Sequence, residues 1–160
     1  MSDRIAVMEA GRVHQVGTPQ DIYHRPTTAF VARFIGSSNV LTADVVEGSD
    51  RRRTIRIGDR STSSVNIELD LPDHVDSREI NSTMTVVIRP ENVRLAYATS
   101  DDTLPATVTG VEFTGMTTNV ETDFFGEKVG ISLVNGEVPP TVGERVGLRF
   151  GAEYLRVVNS

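Results

Sequence analysis

The sequence contains no cysteine or tryptophan, and only one of its 16 basic residues, Lys128, is a lysine. Without cysteine the chain has no disulfide and no cysteine-ligated metal. A Walker A loop needs a Gly-Lys pair before Ser or Thr, whereas Lys128 follows Glu127. The chain also lacks a Gly-Gly pair, a GxGxxG motif and a GxSxG elbow. These absences predict a chain that is not itself an enzyme and has no glycine-rich nucleotide cradle.

Charge and hydropathy exclude further classes. The net charge of −6 disfavours nucleic acid as a partner, because phosphate binding requires a basic face. No apolar run approaches the roughly 20 residues that a transmembrane helix needs. The first residues lack the basic and apolar regions of a signal peptide, so we expect a cytoplasmic location. The three histidines, His14, His24 and His74, are too far apart to predict a metal site.

The first 38 residues are predicted to form a hairpin and two short helices. Alternating apolar residues on both sides of residues 9–11 indicate the hairpin, with Gly11 available for positive φ. Thr18 is a typical N-cap, and Pro19 suits the first helical position. Apolar residues at helical spacing predict a second helix over residues 28–35, ended by Gly36.

After residue 39 the apolar period changes to two, which is typical of β-strands. Many short alternating segments, separated by Gly, Pro, Asp and Asn, predict a β barrel or sandwich. The apolar phase slips by one at Gly110, which indicates a bulge or a barrel corner. The polar residues 99–102 divide this part into two possible lobes, 40–98 and 104–160.

Three segments are candidates for binding. Arg51, Arg52 and Arg53 could contact an acidic partner, but they are better explained as a polar hairpin edge that blocks aggregation. Residues 89–92 close a strand with a rigid turn, which is either a structural corner or a regulatory or subunit contact. The third segment could present hydroxyls and backbone amides to a small oxyanion, although a plain connecting loop is the simpler interpretation. The candidate residues are Arg89, Pro90 and Glu91 for the contact, and Thr114, Gly115, Thr117, Thr118 and Asn119 for the ligand loop.

Several motifs together resemble the ATPase subunits of bacterial ABC importers, at the end of their nucleotide-binding domain and in the regulatory domain that follows. The resembling segments are residues 2–8 (SDRIAVM), 11–13 (GRV), 17–19 (GTP), 21–23 (DIY), 25–26 (RP), 30–32 (FVA), 34–39 (FIGSSN), 87–93 (VIRPENV) and the region from Gly110 to Gly115.

The resemblance implies a fold and a domain plan. Residues 1–38 would be the remnant of the nucleotide-binding domain, and residues 39–160 a regulatory domain of the TOBE type, an OB-like β barrel. The expected fold is therefore mainly β, with a barrel preceded by a short hairpin and two short helices. The family's catalytic residues would all lie upstream of Met1, so none is carried over to this chain, and Met1 is either an internal methionine or an added start.

The resemblance also implies partners. The whole protein would bind ATP and Mg and would associate with transmembrane permease subunits on the cytoplasmic face of the inner membrane. This chain would pair with a second copy through its β domain, hold no cofactor, and respond to a small-molecule or protein regulator. Residues 34–39 favour import of polyamines, iron or phosphonates over sugars. The alternative is an OB-like module that senses an oxyanion or another solute through the loop at residues 114–119.

Overall fold

The computed structural model describes residues 3–97 and 101–160, and the first part of this chain folds as predicted. Strands β1 (Ile5–Glu9) and β2 (Arg12–Gly17) form an antiparallel hairpin. Helices α1 (Pro19–His24) and α2 (Ala29–Phe34) follow it. The side chains of Thr18 and Thr28 cap these helices by accepting bonds from the backbone N–H groups three residues later.

The rest of the chain forms two five-stranded antiparallel sheets. The first sheet has the strand order β12-β6-β3-β4-β5 and the second has the order β10-β9-β8-β11-β7. The first contains β3 (Asn39–Ser49), β4 (Arg52–Asp59), β5 (Ser63–Asp70), β6 (Thr83–Ile88) and β12 (Arg156–Val158). The second contains β7 (Val93–Ala96), β8 (Leu104–Phe113), β9 (Thr117–Phe124), β10 (Glu127–Val134) and β11 (Arg145–Phe150).

One hydrophobic core joins the two sheets. Alternate side chains of each strand enter it, as the period of two predicts. The expected irregularity in β8 is present as a register shift between Val108 and Gly110 against β9. Fully buried residues from both sheets include Ile55, Val86, Leu148 and Ile131. The predicted mainly β fold with a hairpin and two helices is therefore confirmed.

The chain passes between the sheets at two short 3-10 turns. The turn Pro90–Asn92 connects β6 of the first sheet to β7 of the second. The turn Ala152–Tyr154 returns the chain from β11 to β12 of the first sheet. The second sheet therefore contains β7 from the predicted lobe 40–98, and the first sheet contains β12 from the predicted lobe 104–160. Met1, Ser2 and the predicted linker residues Thr99 and Ser100 lie outside the described residues.

Candidate functional site

Arg89, the residue between β6 and the turn Pro90–Asn92, extends its guanidinium group to backbone carbonyls of the two helices. Its Nη2 donates a hydrogen bond to the carbonyl of Tyr23 at 2.9 Å. Its Nη1 donates to the carbonyls of Ala32 and Ser37, both at 3.0 Å, and lies 3.4 Å from the carbonyl of Gly36. Arg89 is only 7% exposed. The planar fork of arginine suits such a divergent set of acceptors better than a lysine ammonium would.

The ring of Tyr23 and the carboxylate of Glu91 complete this arrangement. The guanidinium carbon of Arg89 lies 4.2 Å from the ring centroid of Tyr23, within the range of a cation–π contact. The Tyr23 hydroxyl donates a hydrogen bond to Glu91 Oε1. That bond, with burial and the negative charge of Glu91, raises the pKa of Tyr23, whereas burial lowers the pKa of Arg89.

The structure brings the first predicted set of residues together around α1. Pro90 opens the 3-10 turn, and its fixed φ suits that position. Arg89 and Glu91 both contact Tyr23, so the segment contacts the helices of its own chain. The role of these residues in a regulatory or subunit contact stays a prediction.

An open groove of about 840 Å³ lies beside Glu91. One wall contains Tyr23 and residues 36–39, and the opposite wall is the outer face of β8, β9 and β10. Glu91, Glu112 and Glu121 line it, and Lys128 forms an ion pair with Glu121 at 3.2 Å. The groove thus carries more carboxylates than cations, which disfavours a small anion as its ligand.

The structure divides the second predicted set between two places. Thr114 and Thr117 hydrogen-bond to each other across the β8–β9 turn. Thr114 Oγ1 lies 2.9 Å from both the carbonyl oxygen and Oγ1 of Thr117. Gly115 sits in this turn with φ +96°. Thr118 pairs with Phe113 in the ladder, and Asn119 lines the groove. Oxyanion binding by this set stays a prediction.

The arginine cluster makes contacts within the chain. Arg51 donates hydrogen bonds to the carbonyls of Leu71, Pro72 and Val75, which hold the loop after β5. Arg52 forms ion pairs with Glu68 and Asp70, both at 3.0 Å. Arg53 donates to the carbonyls of Asp50, Arg52 and Ser77. These contacts favour the structural interpretation of the cluster.

Two residues of this region were not predicted from the sequence. Asn39 is buried, and its amide group exchanges two hydrogen bonds of 2.8 Å with the backbone N–H and carbonyl of Gly130. Tyr23 provides both an acceptor and an aromatic face for Arg89. The partners of both lie far along the chain, and neither residue type marks such a contact by itself.

Residues 3–97 and 101–160 contain no group of three or more His, Asp or Glu side chains that could hold a metal ion. In the same ranges no helix is long and apolar enough to cross a membrane.

The comparison with protein families identifies a TOBE domain over residues 86–158. The expected OB-like fold is confirmed by a solved structure of the cytoplasmic molybdate-binding protein ModG, with a TM-score of 0.59 over 76% of this chain and 96% of that chain. At 13% sequence identity this likeness shows the fold alone. The predicted division at residue 38, with lobes 40–98 and 104–160, stays a prediction.

Curated relatives match almost the whole chain. The spermidine/putrescine import ATP-binding protein PotA of Haemophilus ducreyi is 33% identical over 99% of this chain and 44% of its own length. PotA of Ruegeria pomeroyi is 32% identical over 99% of the chain and 42% of its own length. The Fe(3+) ions import ATP-binding protein FbpC of Serratia marcescens is 30% identical over 95% of the chain and 37% of its own length. The chain thus spans less than half the length of these relatives.

Proposed function

Because the chain carries a TOBE domain and is homologous to the C-terminal region of ABC importer ATP-binding subunits, we propose that it is the regulatory and dimerisation end of such a subunit. The observation that carries the proposal is the match to these subunits along 99% of the chain. ATP and Mg would be bound by the part of the protein outside these residues. The whole protein would act on the cytoplasmic face of the membrane with permease subunits.

The names of the relatives indicate which solute the whole protein would import. Both PotA relatives are named for spermidine and putrescine, and FbpC is named for Fe(3+) ions. We therefore propose polyamine import as the activity of the whole protein, with iron import as the second choice. Phosphonate import, which residues 34–39 also favour, has no support from these names.

Exposed apolar residues at the β8–β9 turn support pairing with a second copy. Phe113 is 70% exposed and Met116 is 81% exposed. An exposed apolar patch on a β domain is typical of a protein contact. We assign the dimer contact to this patch, formed by Phe113 and Met116.

Sedimentation velocity tests the pairing. The 160-residue chain should sediment as a dimer at ~50 µM, a concentration well above the Kd of ~1 µM or below expected for a stable dimer contact. The double substitution Phe113→Ser with Met116→Ser should shift it to monomer without changing its circular dichroism. The matched control is Val142→Ser, since Val142 is 65% exposed but lies outside the patch. A monomeric wild-type chain would contradict the dimer proposal.

The alternative function is solute sensing through residues 114–119. Calorimetric titration of the chain with molybdate, sulfate, phosphate and spermidine distinguishes it from pairing alone. The self-closed turn of Thr114 and Thr117 and the acidic groove beside Asn119 predict no heat with the three anions. Saturable binding of an anion that is lost in Thr118→Ala would establish the sensing function instead.

A further inference from the structure

The two 3-10 turns that connect the sheets have nearly the same backbone dihedral angles, but the residue before the turn is arginine in one and glycine in the other. Arg89, before the first turn, has φ −73° and ψ 146°. Gly151, before the second, has φ −74° and ψ 134°. The residues that end the turns also agree, with φ −80° and ψ 127° for Val93 and φ −81° and ψ 135° for Leu155. Glycine therefore supports this turn, and the turn itself does not require the arginine side chain.

The hydrogen bonds of Arg89 go to one part of the chain. Its acceptors are backbone carbonyls of α1, of α2 and of the segment that follows α2, at residues 23, 32, 36 and 37. These bonds persist only while α1 and α2, here called the helix pair, stay against the β domain. A carbonyl carries only a partial charge, so it compensates a buried guanidinium less fully than a carboxylate would.

A second attachment joins the helix pair to the end of the chain. The backbone N–H of Ala29 donates to the carbonyl of Asn159, and the N–H of Asn159 donates to the carbonyl of Thr27, both at 2.9 Å. Beside these bonds Ala29 and Ala32 pack on Val87 and Val158. This apolar contact attaches the helix pair to the β domain, whereas Arg89 fixes the position of the carbonyls above it.

We propose that Arg89 is a reversible latch, which sets the orientation of the helix pair on the β domain and can release it while the β domain stays folded. The cost of removing the guanidinium group from water offsets much of the energy of its hydrogen bonds. The latch therefore contributes more to orientation than to global stability. In the released state Arg89 is hydrated and the Tyr23–Glu91 hydrogen bond is broken.

The consequence for the whole protein rests on the proposed function. If the helix pair is continuous with the nucleotide-binding part of an ATPase subunit, the latch is the point at which movements of that part reach the regulatory domain. The latch itself is a property of this chain. It is tested on the 160-residue chain alone, so its failure and the failure of the proposed function are distinguishable.

Amide hydrogen exchange followed by NMR, with Arg89→Lys, is the test. Lysine keeps the charge but cannot reach several divergent carbonyls at once. The N–H groups of Ala29, Ala32 and Ile35, each hydrogen-bonded to a backbone carbonyl, report on the helix pair. They should exchange ~10–100-fold faster than in the wild type, because charged hydrogen bonds of this kind are lost. The N–H groups of Val129 and Ile131 in β10 should change by less than ~3-fold.

The control is Arg94→Lys, since Arg94 is an exposed arginine on the neighbouring strand β7. It should leave both sets of exchange rates unchanged. The latch is overturned if Arg89→Lys leaves the helix pair as protected as in the wild type. It is equally overturned if the helix pair and β10 accelerate by the same factor, because Arg89 would then contribute only to global stability.

A second variant decides the question if Arg89→Lys does not fold. Tyr23→Leu removes the ring that faces the guanidinium group and the hydroxyl that binds Glu91, but it keeps the backbone carbonyl. Faster exchange by ~3–10-fold, confined to the helix pair, supports the latch. Unchanged exchange, or equal acceleration in β10, overturns it.

Discussion

Asn39 lies at the start of β3 and connects the first sheet to β10, an edge strand of the second sheet. Its side-chain amide donates to the carbonyl of Gly130 and accepts from the N–H of Gly130, both at 2.8 Å, on the edge of β10 that does not face β9. Replacing Asn39 with Ala removes both hydrogen bonds. Each contributes about 1 kcal/mol net, and a polar group left unpaired in a partly buried site adds to the loss. We expect the free energy of unfolding to fall by about 2–3 kcal/mol.

Urea and thermal denaturation, followed by circular dichroism, measure this loss. For a chain of this size the expected change lowers Tm by about 4–12 °C. The control is Asn66→Ala on β5, an exposed asparagine, which should change the unfolding free energy by less than about 0.5 kcal/mol. A loss below about 0.5 kcal/mol for Asn39→Ala would refute the argument that the amide pair joins the two sheets.

The variant Asn39→Asp tests the direction in which stability changes with pH. An aspartate keeps the acceptor for the Gly130 N–H but presents a carboxylate to the Gly130 carbonyl, so its folded-state pKa should be raised. A group with a raised folded-state pKa stabilises the fold at low pH and loses that contribution as pH rises through the folded-state pKa. The variant should therefore regain stability on acidification relative to Asn39→Ala, and a parallel pH dependence of the two variants would contradict this.

Three other substitutions have definite expectations. Glu91→Ala removes the main cause of the raised Tyr23 pKa, so the Tyr23 pKa should fall towards 10.0, as measured by NMR titration of the ring carbon. The stability that the wild type loses as pH rises through the folded-state pKa of Tyr23 should be smaller in this variant, and an unchanged pKa would contradict the Tyr23–Glu91 bond. Gly58→Ala should lower the unfolding free energy by about 2–4 kcal/mol, because φ is +108° and a Cβ would lie 2.5 Å from the carbonyl oxygen of Ser63. Gly115→Ala, with φ +96° but open space around the Cβ position, should cost only about 1 kcal/mol in the same denaturation assay, and equal losses would contradict the steric argument.

Local signals in the sequence predicted most of the elements. The Thr18 cap, the end of α2 near Gly36, and the phase slip at Gly110 each depend on neighbouring residues, and the structure shows all three. The exchange of β7 and β12 between the sheets was not predicted. Strand partners depend on contacts between distant segments, and alternation alone shows a strand without showing its neighbour.

The sequence predicted the turn at the candidate site, but it did not predict which residues the side chains there contact. The run from Arg89 to Glu91 ends an apolar segment at a proline, which indicates a corner, and the structure has one. The contact of Arg89 with Tyr23 joins residues 66 positions apart through a backbone carbonyl, and every residue type has such a carbonyl. Side chains that bind backbone atoms leave no pattern in the partner sequence, so Asn39 and Tyr23 escaped prediction for the same reason.

The rate of ATP hydrolysis tests the central claim most directly. It should be compared among the isolated 160-residue chain, the complete protein encoded by its gene, and that protein without residues 39–160. The proposed function predicts hydrolysis by the complete protein and by the truncated one, with altered regulation in the latter, and none by the isolated chain. Hydrolysis by the isolated chain, or its absence in the complete protein, would contradict the assignment of this chain as the regulatory end of an importer ATPase.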